Sequence, residues 1–225
     1  YKTDLVFALI PTITSISRQS LLSGKLPVEL ESPFNLSKEK QLFISKCIEN
    51  GYRENQIKYY RGYDIDINRG DKCICVIIND IDDLVHGQIQ GKQGMYNDIS
   101  YLAKTDKIQN LIQKLCERGF NVYITSDHGN TSSICIGNPR GNGVEVESKC
   151  KRALIYRDFA DYKKIKEEYN LIEYPGAYLP KEYKYLICET SKSFGVKGQQ
   201  IMTHGGINIE EVIVPFVTID RRSCL

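Results

Sequence analysis

These 225 residues contain no Cys-x-x-Cys pair, no block of clustered lysine and arginine, and no apolar run near the roughly 20 residues a membrane helix needs. Each absence removes a class of function. Eight cysteines stand at 47, 73, 75, 116, 135, 150, 188 and 224 without paired spacing, so a thiol zinc site has little support. Cys73 and Cys75 share one face of a strand-like run and read as buried thiols, and the whole set points to a reducing, cytoplasmic compartment. Thirty basic against 28 acidic side chains leave a net charge of +2, too even to argue for nucleic-acid binding from charge alone. The 15 tyrosines are scattered rather than set in a stacking motif. The opening YKTDLVFALIP has neither signal-peptide shape nor an initiator methionine, from which a fragment of a longer chain is expected.

What is present is a globular composition, 41% apolar and 26% charged, long enough to bury a core without disulfide or metal staples. Short apolar runs at 5–10, 73–78, 121–125, 152–156 and 212–219 read as buried strands from their length and their Val, Ile and Tyr content. Helical spacing marks 38–49, 104–118 and 159–169; in the second, Ile108, Leu111, Ile112 and Leu115 fall on one face, and Gly119 ends the pattern. Strands alternating with helices predict an α/β fold with a mostly parallel sheet covered on both faces. One domain over 1–225 is expected, with the polar, irregular stretch 28–70 inserted over the core and 137–145 as a flexible loop.

Histidine is scarce, and its placement is informative. His86 lies in NDIDDLVHG after one strand, His128 in TSDHGN after another, and His204 in THGG before a third. Open α/β sheets place their sites at such strand ends. Each histidine lies near a glycine, and two have nearby carboxylates; imidazole with carboxylate suits zinc, or manganese or magnesium where oxygen ligands dominate. Asp82 is four residues from His86, close enough to share an ion from a tight loop, with Asp83 as the competing carboxylate. Asp127 and His128 are adjacent, so their side chains diverge, which suits a place between two ions.

The segment PTITSISRQSLLSGKLP joins a strand to a helix, putting the Thr14 hydroxyl at a helix N-terminus, where free N–H groups favour an anion. Arg18 follows one turn later on the same face, where its guanidinium can grip a phosphoryl oxygen through two hydrogen bonds. Thr12 is the alternative hydroxyl.

The pattern T-x-x-S-R-x-x-L-x-S-G-x-x-P from Thr14 to Pro27 resembles the nucleophile motif of the alkaline phosphatase superfamily, in which sulfatases carry cysteine and nucleotide pyrophosphatases/phosphodiesterases carry threonine at the Thr14 position. SDHGN, D-x-x-x-H-G from Asp82 to Gly87, and HGG at His204 fit the superfamily's metal motifs in order. Over about residues 5–219 the chain is most similar to the PglZ domain of bacterial phage-defence (BREX-type) systems and some response-regulator fusions. The resemblance implies a three-layer α/β/α sandwich, two divalent ions, zinc foremost, and a phosphoester substrate, nucleotide or nucleic acid among the options, with other defence proteins as partners and no membrane. It implies Asp82, His86 and His204 on one ion, Asp127, His128 and Thr14 on the other, Thr14 as nucleophile and Arg18 on the phosphoryl group. The superfamily's upstream aspartate has no counterpart: Asp4 is the only earlier carboxylate and is not assigned, so a missing first strand or a weakened second ion site is expected. The rival class is a non-catalytic scaffold of a defence or signalling complex. A phosphoglycerate mutase-like transferase is weaker, because 28–70 cannot supply that family's second domain.

Overall fold

The computed structural model describes residues 1–88, 90–139, 150–157 and 162–221. The elements run β1 (Lys2–Phe7), α1 (Thr14–Ser23), α2 (Glu39–Glu49), β2 (Ile57–Arg61), β3 (Cys73–Ile77), α3 (Asp80–Gly87), α4 (Gly91–Ala103), α5 (Lys107–Glu117), β4 (Val122–Thr125), β5 (Thr131–Cys135), β6 (Ala153–Tyr156), α6 (Tyr162–Glu168), β7 (Ile172–Tyr174), β8 (Lys184–Ile187), β9 (Lys192–Ser193), β10 (Gln200–Thr203), α7 (Ile209–Val212) and β11 (Ile213–Ile219). The expected strands and helices are all present, with boundaries shifted by a few residues. Residues 140–145 of the expected loop, 159–161 of the expected helix and Cys224 lie outside the described residues. The seven described cysteines are reduced thiols, and no helix among the described residues is long and apolar enough to cross a membrane.

The fold is α/β, but the expectation of a mostly parallel sheet is corrected. Among the described residues the strands pair as β1-β11-β4, β10-β5-β9, β2-β3 and β6-β8-β7, and only β2–β3 and β5–β9 are parallel. The reason lies in the connections. A parallel pair needs a crossover of a dozen or more residues, usually a helix. No helix separates β7 from β8, and these two pair antiparallel. The final strand β11 runs antiparallel between β1 and β4, so these two point the same way without touching.

Alternation along the strands builds the layers. In β6 and β8, Ala153, Ile155, Tyr185 and Ile187 face one cluster with Ile13 and Ile16 at the start of α1. Their neighbours Tyr156 and Leu186 face another, with Ile165 of α6. Helices thus cover both faces of this sheet. The predicted apolar face of α5 buries Leu111 and Leu115 among Ile74, Val76 and Val122, joining the β3 and β4 sheets. Residues 28–70 contribute α2, which packs on α1, and β2, whose Ile57 stands opposite Cys73 and Arg61 opposite Ile77.

Helix α1 ends at Gly24, whose left-handed backbone (φ 69°) lets its N–H reach the Ser20 carbonyl. The helix is fixed by Ile13 and Ile16, both almost fully buried. Ile16→Ala is expected to destabilise the protein by about 2–5 kcal/mol in urea unfolding. A loss below about 1 kcal/mol would mean that α1 is not anchored through this contact.

Candidate metal centre

Four segments converge on one cavity of about 70 Å³. Arg18 of α1, Asp82 of α3, Asp127 and His128 of the turn after β4 and His204 of the turn after β10 line it, with Thr14 against His128 and His86 against Asp82. The expected tight loop at 80–87 is a helix. Asp80, Asp82 and Asp83 in its first turn complement the helix dipole, and Val85 packs with Met95 of α4 and Met202 of β10. Helical geometry puts Asp82 and His86 on the same face, with Oδ1 3.4 Å from Nε2. Asp83 is exposed, which leaves Asp82 as the carboxylate of this segment in the site.

Ligand atoms of Asp82, His128 and His204 all lie within 4.8 Å of one another. The His128 and His204 rings stack at 4.0 Å between centroids, and the His86 ring lies edge-on to His204 at 5.6 Å. This grouping cuts across the two ligand sets that the family resemblance implies. Both clustered rings are oriented by backbone carbonyls: His204 Nδ1 donates to Thr12 at 2.8 Å and His128 Nδ1 to Gly129 at 2.9 Å. These tautomers follow from the hydrogen-bond partners and leave both Nε2 lone pairs facing the cavity. Thr14, the first residue of α1, places Oγ1 2.9 Å from His128 Nε2. Ile13 caps that helix without a side-chain bond, so its first amides are not taken by a capping group.

Protonation states suit a cation. Burial, then the adjacent His128, pushes His204 down to about 3, although Thr12 and Asp82 pull the other way. Burial raises Asp82, but the hydrogen bond from His86 and the three imidazoles outweigh it and bring the carboxyl to about 2. At neutral pH the cluster therefore holds an ionised carboxylate beside a neutral imidazole, as divalent-metal ligation requires. Nε2 of His204 is buried without a hydrogen-bond partner among the described residues. Unsatisfied buried donors and acceptors are costly. The His204 nitrogen, in the lining of a polar cavity, fits a divalent cation.

Asp127 borders the cluster: its Oδ2 lies 3.7 Å from His128 Nε2, so the two adjacent side chains converge rather than diverge as expected. The same oxygen lies 3.5 Å from Arg18 Nε. Arg18 is held further by Asn79 Oδ1 at 3.3 Å and by Glu39 Oε2 at 3.8 Å. Asp4 is exposed and pairs with Lys2, away from this network. Thr12 is fully buried and its hydroxyl lies 3.2 Å from the Glu211 carboxylate, so it is not an accessible nucleophile. Glu39 and Asn79 were not legible as site residues. Asn79 had a faint signal, being polar directly after a strand; Glu39 had none, one acid among charged neighbours on α2.

A family model described as the BREX system PglZ alkaline phosphatase-like domain matches residues 1–219. Murine ectonucleotide pyrophosphatase/phosphodiesterase 5 has a similar fold, with a TM-score of 0.57 at 12% identity over 94% of this chain and 78% of that one. An inactive threonine-to-alanine variant of that murine protein, in complex with AMP, gives 0.53 at 10% identity over 94% and 79%. No curated protein sequence matches the chain.

The turn that carries His128 requires Gly129. A Cβ there would stand 2.1 Å from the backbone oxygen of Glu210, an atom with no rotamer to escape into. Gly129→Ala is expected to cost about 1–3 kcal/mol of stability by urea unfolding, as overpacking does. An unchanged midpoint would show that the 128–130 turn and α7 separate freely.

Proposed function

The chain belongs to the PglZ family of alkaline phosphatase-like domains, and on that premise we propose that it is a divalent-metal-dependent phosphoester hydrolase with Thr14 as nucleophile. The carrying observation is the Thr14 Oγ1–His128 Nε2 approach of 2.9 Å at the start of α1. It sets a hydroxyl at a helix N-terminus, beside a cation-ready cluster and one turn from a buried arginine. A similarly folded murine phosphodiesterase is inactive when a threonine becomes alanine, and that variant holds AMP. This supports a threonine nucleophile and a nucleotide-like or nucleic-acid phosphoester here.

Asp82, His128 and His204 would hold the ion, with His86 alongside. When bound, a divalent ion there supplies Lewis-acid charge at the phosphoryl oxygens and makes a neighbouring hydroxyl more acidic. The protein supplies the rest. The Thr14 hydroxyl gives up its proton to solvent and attacks phosphorus; the bond to the leaving oxygen breaks, giving a phosphothreonine that water then cleaves. Arg18 and the first amides of α1 hold the non-bridging oxygens, where charge grows in the transition state. Zinc is the first choice for two imidazoles and one carboxylate, with manganese or magnesium as alternatives. One tight ion is favoured over two, because the carboxylate assigned to a second ion, Asp127, faces the Arg18 guanidinium instead. A role in antiviral defence beside other BREX proteins rests on the family's description, and a cytoplasmic location rests on the reduced cysteines.

Hydrolysis of bis(p-nitrophenyl) phosphate and of nucleotide diesters with added Zn²⁺ or Mn²⁺ tests this reading. Thr14→Ala is expected to lose on the order of 10³-fold or more in kcat, with Thr14→Ser retaining part of it and both variants keeping wild-type circular dichroism. Full turnover in folded Thr14→Ala would overturn the nucleophile role, and no turnover by the parent on any phosphoester would favour the scaffold alternative. Calorimetric titration with Zn²⁺ should show one dominant site. Two equally tight sites would mean that Asp127 abandons Arg18.

A further inference from the structure

Glu211 of α7 is a fully buried carboxylate that the chemistry above does not use. Its Oε1 accepts the Gly206 N–H at 2.8 Å and the Thr12 hydroxyl at 3.2 Å. Its Oε2 accepts the Asn208 N–H at 3.0 Å and faces Arg152 Nε at 3.2 Å, and Arg152 is equally buried. The Glu211 backbone carbonyl accepts the Gly129 N–H at 2.8 Å. One residue therefore holds the two turns that carry His204 and His128, together with the segment that leads into Thr14.

The contacts reach the imidazole in two steps. The Thr12 hydroxyl, donating to Glu211, accepts the Gly205 N–H at 2.8 Å. The Thr12 carbonyl, on the same residue, receives Nδ1–H of His204. Moving Glu211 would shift Thr12 and the 204–206 turn against one another, and both determine where His204 Nε2 points. Stability alone is a weak reason for such a pair. Exchanging a buried ion pair for apolar side chains is often neutral or stabilising, and such pairs are better supported where they fix one arrangement out of several. Partners beyond the ligands themselves also tune metal affinity.

We infer that Glu211, acting through Thr12 and the Gly129 and Gly206 amides, is a positioning residue that sets the geometry of the His128–His204 pair and with it the affinity for a divalent cation. The inference rests on the metal reading above. Neither Glu211 nor Thr12 is placed on the ion or on the substrate.

Cobalt(II) is the probe, because its visible ligand-field spectrum reports ligand geometry and its titration reports affinity. His204→Ala serves as the control for the metal reading and is expected to abolish the cobalt spectrum. Thr12→Val keeps the shape of the side chain but removes its hydroxyl. It is expected to weaken cobalt binding by about 10–100-fold, the usual effect of losing an outer partner of a metal ligand, and to shift the spectrum. Thr12→Ser should restore both. Glu211→Gln should behave like Thr12→Val; if it fails to fold, the Thr12→Val and Thr12→Ser pair decides. Wild-type cobalt affinity and spectrum in folded Thr12→Val, with binding lost in His204→Ala, would overturn the positioning role and leave the metal reading intact. Wild-type binding in His204→Ala would overturn both. Equal losses in Thr12→Val and Thr12→Ser would overturn the hydroxyl's part, and so the route from Glu211.

Discussion

The hydrogen bond from His204 Nδ1 to the Thr12 carbonyl, 2.8 Å long and fully buried, ties together two segments that are 192 residues apart. On one side is the strand-to-helix joint that delivers Thr14; on the other is the turn after β10. Without this bond His204 would have no fixed tautomer. Thr12 can serve as the joint because both its carbonyl and its hydroxyl are engaged, the latter by Gly205 and Glu211. The sheet partnerships of β1 with β11 and of β5 with β10 then bring distant parts of the chain to the same cavity.

Charge inside the site is arranged with similar economy. Arg18 is more than nine-tenths buried, and a guanidinium cannot shed its proton to reduce the cost of burial. It is compensated on two sides, by Glu39 from α2 and Asp127 from the turn after β4. Glu39 is shared with the Arg61 guanidinium and the Tyr59 hydroxyl of β2. Residues 28–70 thus carry the counter-charge that makes a buried arginine tolerable beside Thr14.

How much of this was legible follows from the range of each interaction. The strand and helix runs were readable because apolar periodicity is local: Leu111 and Leu115 are buried as their spacing implies. The histidines were readable as candidates because scarce groups beside glycines at strand ends narrow the options, and Thr14 because it stands where a strand gives way to a helix. Strand direction was not readable, since it depends on how β8 pairs with β6 and β7 and on where β11 inserts. The helical state of Asp80–Gly87 was obscured by its three aspartates, which look like loop residues until the dipole they complement is seen. Glu39, Arg152 and Glu211 left no local signature. A buried charge is recognised by its partner, and these partners lie 21, 59 and 59 residues away in sequence.

The same distribution bears on the number of ions. A carboxylate that ligates a cation must be free of competing cations, and a guanidinium at 3.5 Å competes directly. Among the described residues Asp82 forms no ion pair with a lysine or arginine; its ion-pair neighbours are His86 at 3.4 Å and His204 at 4.0 Å. Imidazoles become ligands by staying neutral, whereas a guanidinium cannot. The cavity is therefore divided into a half that can accept a cation, around Asp82, and a half that already contains one, around Arg18. On the proposed function, an anionic phosphoryl group would lie between them, drawn from both sides, with Thr14 beside His128.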